Sequence, residues 1–138
     1  MSKVKFTVIT LFQEALLPYL STSMMWKATE KGIAEFSFLD LREFGLGPHK
    51  SVDDTPYGGG DGMLLRCEPV FAAVESVKQA SPGAKVILPT PAGRIWSQQL
   101  VREFATKIET QTEQHFIILC PHYEGYDERI LTLVDYPI

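Results

Sequence analysis

Apolar residues alternate with polar ones from Lys3 to Leu11, with Val4, Phe6 and Val8 on one side, which is the period of a half-buried strand. Phe12 to Leu20 changes to a helical spacing that Pro18 ends or kinks, since proline has no N–H to donate and its ring crowds the preceding turn. Ser21 reads as the cap of a second helix running through Lys31, Gly32 as its stop, and Ile33 to Leu39 as a second strand. A longer helix is expected from Pro69 to about Ala80, with Val70, Val74 and Val77 on its inner face and Ser81-Pro82-Gly83 closing it. Lys85 to Leu88 forms a third strand, and Ser97 caps a helix containing Leu100, Val101 and Phe104. His115 to Cys120 is nearly continuous in apolar residues, as suits a central parallel strand covered on both faces. A last helix is expected to start near Asp127.

This order implies one α/β domain over residues 1–138, with a mainly parallel sheet and flanking helices. No apolar run approaches the roughly 18 residues needed to span a bilayer, and the opening residues lack a signal-peptide core, so no membrane partner and a cytoplasmic location are expected. Cys67 and Cys120 lie far apart without a metal-binding spacing and read as buried free thiols. His49, His115 and His122 are isolated from one another, and no metal site is expected.

The pattern breaks between Gly45 and Gly62, where six glycines and two prolines stand without periodicity. Its end, Asp53-Asp54-Thr55-Pro56-Tyr57-Gly58-Gly59-Gly60-Asp61-Gly62, holds four glycines in five positions. Glycine is tolerated at such density where the backbone must take positive φ or lie against a ligand, so this is a candidate binding loop. Two strands also end in Gly/Pro-rich exits, Pro89 to Gly93 and Pro121 to Gly125. In open α/β sheets ligands bind beyond the carboxyl ends of strands, which makes these exits and the glycine loop candidate walls of one pocket; strand-to-helix turns, however, need Gly and Pro in any case. Neither the dinucleotide-binding fingerprint nor a P-loop can be read, and there is no nucleophile elbow.

The net charge of −4 disfavours nucleic-acid binding by bulk electrostatics. The part up to Val52 carries +1 and the rest −5, so an RNA footprint would be a local patch, for which Lys27, Lys31, Arg42, His49 and Lys50 are candidates; a solvated surface explains them equally well.

The glycine loop, extended by Met63, resembles the D-D-x-P-Y-G-G-G-x-G-M segment of the bacterial tRNA (guanine-37-N1)-methyltransferases of the SPOUT class, the trefoil-knot methyltransferases. Thr90-Pro91-Ala92-Gly93-Arg94 is similar to their S-P-x-G-R, Tyr123-Glu124-Gly125-Tyr126-Asp127-Glu128-Arg129 to Y-E-G-x-D-E-R, and Leu11-Phe12 to the opening S-L-F-P-E with Gln13 for proline. The resemblance implies methyl transfer from S-adenosylmethionine to N1 of guanine-37 of tRNA, in a homodimer, assisted by Mg2+. It implies that Thr90, Pro91, Tyr123 and Gly125 hold the methyl donor, largely through backbone groups. Tyr57, Gly58, Gly59, Gly60 and Gly62, with Glu124, would form the substrate side.

Glu124 either orients or acts on the guanine, or is an exposed loop carboxylate. Asp127 and Glu128 gain from a helix dipole, and Arg94 and Arg129 have acids or RNA phosphate as partners. The chain departs from the family at Pro121 for glycine, His122 for arginine and Asp61 for proline, which bears on pocket geometry and RNA affinity. The family's general base and knot segment are expected beyond Ile138, so no catalytic residue is assigned within the chain, and the isolated chain is expected to be inactive. A non-catalytic nucleotide- or RNA-binding module is the alternative, and a flavodoxin-like enzyme using phosphate recognition at Gly58 to Gly62 a more distant one.

Overall fold

The computed structural model of the chain describes residues 3–138. In chain order the elements are β1 (Val4–Thr10), α1 (Gln13–Leu20), α2 (Ser23–Glu30), β2 (Ala34–Asp40), a 3-10 turn at Leu41–Phe44, and the two-residue strands β3 (Asp53–Asp54) and β4 (Leu64–Leu65). Then come α3 (Cys67–Ala80), β5 (Lys85–Leu88), α4 (Gln98–Glu109), β6 (His115–Leu119), β7 (Gly125–Tyr126), a 3-10 helix at Glu128–Leu133 and β8 (Tyr136–Pro137). Five strands form one sheet in the order β2-β1-β6-β5-β8, and every neighbouring pair is parallel. This is the α/β arrangement that the alternating pattern predicts.

Strand β6 lies in the middle, and its apolar run is explained by burial from both sides: Phe116, Ile117 and Leu119 are nearly inaccessible. One face of the sheet packs against α3, where Ile9, Val86 and Ile117 meet Val70 and Val74. The other face packs against α4, where Phe104 meets Phe116 and Tyr136 edge to face at 5.4 and 5.0 Å. The Ser97 hydroxyl accepts from the Leu100 N–H at 3.2 Å, so α4 starts where the capping residue predicts. Among the described residues no helix is long and apolar enough to cross a membrane.

Three expectations need correction. Ser21 does not cap α2; its hydroxyl donates back to the Leu17 carbonyl at 2.7 Å and so closes α1, while Thr22 stands at the cap position. Helix α1 itself covers Gln13–Leu20, close to the Phe12 to Leu20 expected, with Pro18 in its last turn. The last helix is not α-helical but 3-10, capped by the Asp127 carboxylate. The tighter helix rises about 2.0 Å per residue against 1.5 and so carries the short segment further toward β8. The stretch expected to be one long loop contains β3, which pairs antiparallel with β4, and β4 pairs parallel with β7, giving a second small sheet.

Candidate functional site

Because β5 and β6 are parallel neighbours, their exits leave from the same edge of the sheet. The Thr90 hydroxyl lies 2.9 Å from the Tyr126 hydroxyl, tying the two exits together. The glycine loop reaches the same place from the small sheet: a Cβ added to Gly62 would run into the Glu124 side chain. All three predicted loops therefore meet at residues 121 to 126.

Their backbones differ in character. Gly58, Gly59, Gly60 and Gly62 have φ of 80°, 87°, 117° and 81°, and at the first three nothing lies within 4 Å of where a Cβ would stand. Those three glycines are needed for left-handed backbone, not for packing. Beside them Tyr57 is 85% exposed. The Thr90 exit is held instead by the end of the chain: Thr90 N–H donates to the Ile138 carbonyl at 2.7 Å, and Arg94 N–H to Pro137 at 3.0 Å. Pro91 is exposed at the tip of this loop. At the other exit Tyr123 packs its ring against the α3-side core and donates its N–H to Pro121 at 2.6 Å, and Gly125 belongs to β7.

The loops do not enclose one cavity, as the sequence suggested. A hollow of about 350 Å³ beside the strand exits is bordered by Thr10, Phe12, Pro89, Cys120, Pro121 and His122. A separate hollow of only about 50 Å³ opens on the glycine side, by Tyr57, Arg66, Asp127 and Arg129. Pro121 and His122 border the first, and Asp127 and Arg129 the second.

The family model described as tRNA (Guanine-1)-methyltransferase TrmD matches residues 4–138. The chain belongs to this family. It is 45% identical over 127 residues to the tRNA (guanine-N(1)-)-methyltransferase of Geobacillus kaustophilus, covering 92% of this chain and 50% of that protein. It is 43% identical to a Thermus thermophilus enzyme of the same name, covering 92% of this chain and 49% of that one. Among solved structures, the tRNA (m1G37) methyltransferase from Aquifex aeolicus superposes with a TM-score of 0.85 at 34% identity, over 99% of this chain and 59% of that one. The chain thus spans about half the length of the curated relatives it matches.

In this member of the tRNA (guanine-1)-methyltransferase family, the departures at Pro121 and His122 are absorbed locally. Left-handed backbone falls at His122, with φ of 62°, so Pro121 is not required to adopt it, and the Pro121 carbonyl still accepts from Tyr123. The His122 ring contacts Phe12 edge-on at 4.8 Å and Tyr123 at 5.2 Å, and the Arg42 guanidinium lies 5.0 Å from the Phe12 ring centre while donating to the Leu11 carbonyl. Phe12, Arg42 and His122 thus brace the hollow, a relation that their sequence separation concealed.

Several charged groups near the site are paired. Asp127 accepts from the Arg129 backbone N–H at 3.0 Å and from its guanidinium at 2.7 Å, which together hold its carboxyl down to about 2. Arg94 pairs with Glu103 of α4 at 3.0 Å. Burial and the nearby Asp53 raise the Tyr123 phenol, and burial raises both free thiols, Cys67 being buried and Cys120 partly so. The suggested basic patch divides: Lys27 and Lys31 precede β2 and Arg42 follows it, so a seven-residue strand of roughly 20 Å separates them. Among the described residues no group of three or more His, Cys, Asp or Glu could hold a metal ion.

Proposed function

We propose that the chain carries the donor-side and guanine-side loops of an enzyme that transfers a methyl group from S-adenosylmethionine to N1 of guanine-37 of tRNA. The observation that carries this reading is the meeting of three motif loops, Gly58 to Gly62, Thr90 to Arg94 and Tyr123 to Arg129, at one sheet edge. The hollow beside these exits is bordered by Pro89 and Pro121, next to the loops, but not by Thr90, Pro91, Tyr123 or Gly125 themselves; its volume lies within the roughly 300–1,000 Å³ of small-molecule sites, and no acidic, lysine or arginine side chain borders it, which suits an uncharged adenosyl group. When bound, S-adenosylmethionine supplies an electrophilic methyl group. Thr90, Pro91, Tyr123 and Gly125 position the donor through the strand exits. Tyr57, Gly58, Gly59, Gly60 and Gly62 present open backbone to the guanine, and Glu124 stands at the junction of the two sides. Their task is proximity, and no residue of this chain is assigned the removal of the N1 proton.

The same reading takes tRNA as substrate, a cytoplasmic location, residues 1–138 as one donor-binding domain and, on the family resemblance alone, assistance by Mg2+. A homodimer agrees with the exposure of Tyr19, Met24 and Trp26 along α1 and α2, at 69%, 66% and 50%. Incubating the chain with labelled donor and a tRNA bearing guanine-37, against the same tRNA with adenine there, tests the function. Donor binding without transfer is the result the reading expects of these residues by themselves, label at guanine N1 would place a base among them, and failure to bind the donor refutes the assignment of the loops.

A further inference from the structure

At the opposite ends of the strands, an open trough of about 580 Å³ lies beside the last turn of α3. Parallel register sets Glu35, Lys5 and His115 side by side across β2, β1 and β6, with Ser37 and Thr7 two residues further along. From the end of α3, Ser81 closes the row. Ser81, His115, Thr7 and Ser37 form a continuous hydrogen-bonded chain. Ser81 Oγ is 2.7 Å from His115 Nδ1, and His115 Nε2 is 2.8 Å from Thr7 Oγ1. Thr7 Oγ1 is 3.1 Å from Ser37 Oγ, which donates to the Phe6 carbonyl at 3.5 Å.

A carbonyl only accepts, so the direction of the chain is set from that end. Ser37 donates to Phe6, Thr7 to Ser37, His115 Nε2–H to Thr7, and the Ser81 hydroxyl to the bare Nδ1. Every member is satisfied with the imidazole neutral. Protonation places a second N–H on Nδ1, which Ser81 must then accept, and the Ser81 hydrogen turns outward into the trough.

We propose that this trough binds a small oxyanion such as phosphate, held by the Lys5 ammonium and the outward-turned Ser81 hydroxyl when His115 is protonated. The charges facing the site favour it. Lys3 is paired with Glu35 at 2.8 Å, whereas Lys5 stands 4.0 Å from the same carboxylate and keeps donor capacity. With that pair neutralised, Lys5 and the imidazolium present two positive charges. The carbonyl end of α3 opposes them with about half a negative charge. Gln114, also at the rim, is uncharged. Burial and Lys5 hold the imidazole below its ordinary range while Glu35 acts against them; an anion beside Lys5 removes the larger charge effect. The phosphate can be free or the terminal phosphate of a nucleotide chain.

The test follows the three histidine rings by NMR across a pH titration, with and without inorganic phosphate at constant ionic strength. His115 should titrate about one unit higher with phosphate, equivalent to about tenfold tighter binding to the protonated form, while His49 and His122 stay in place. Lys5→Gln and Ser81→Ala should each abolish the rise in chains that keep the parent's amide spectrum. A 5′-phosphorylated dinucleotide, compared with its unphosphorylated form, identifies the source: a larger rise than with inorganic phosphate assigns the site to nucleotide ends, an equal or smaller one to the free ion. No rise at His115, an equal rise at all three rings, or a rise that survives both substitutions overturns the proposal.

Discussion

Gly93→Ala separates a glycine kept for packing from glycines kept for backbone conformation. Gly93 has no positive φ, yet a Cβ there would stand 2.6 Å from both the Pro137 and the Ile138 carbonyl carbons, which are backbone atoms and cannot rotate away. The methyl group can be accommodated only by displacing the end of the chain. Three hydrogen bonds depend on that segment: Thr90 N–H to Ile138, Arg94 N–H to Pro137, and Ile138 N–H to Leu88 at 2.9 Å. At about 0.5–1.5 kcal/mol net for each bond, with overpacking of similar size as the alternative way of accommodating the methyl group, the expected loss is roughly 2–4 kcal/mol. Urea unfolding measures the total, and hydrogen exchange locates it, with protection falling first at the amides of Thr90, Arg94 and Ile138. A variant within about 0.5 kcal/mol of the parent, with those amides still protected, would refute the claim that the Thr90 exit is docked on the end of the chain.

Gly59→Ala should cost about 1–2 kcal/mol of left-handed backbone in urea unfolding, because no atom lies near its Cβ position, and unlike Gly93→Ala it should leave the amides of Thr90, Arg94 and Ile138 as protected as in the parent. Asp127→Ala should lose about 1 kcal/mol in thermal or urea unfolding through the vacated cap and the Arg129 pair. With the folded carboxyl at about 2 and the ordinary value at 3.8, this contribution is complete above pH 3.8 and lost as pH falls toward 2; a wild-type-minus-variant difference that is flat across that window would contradict it. His115 is held below its ordinary value of 6.5, so the unfolded chain binds the proton more readily. Stability should therefore be full above pH 6.5 and decline as pH falls through the folded value, and His115→Gln should flatten that slope in urea titrations.

Helices α3 and α4 and strands β5 and β6 were legible because their signals are local: a period carried by consecutive residues, a Ser97 cap, and an apolar run long enough for a central strand. The motif loops were legible for a related reason, since glycine clusters mark positive φ wherever they occur, and Gly58 to Gly60 adopt it. Ser21 misleads because one hydroxyl can close the preceding helix or open the next, and only the fold selects the acceptor.

Tertiary structure decided the rest. Strand β8 has two residues, too few for any period, and exists because Asp135 takes the Val86 N–H across 49 positions and Ile138 docks on Leu88. The division of the predicted pocket, the bracing of Phe12 by Arg42 and His122, and the His115 chain across three strands and a helix end likewise join residues far apart along the chain. Local sequence determines what a segment can become. Which distant group satisfies its polar atoms and fills its spaces depends on close packing and hydrogen-bond pairing across the folded domain, and these relations have no trace in neighbouring residues.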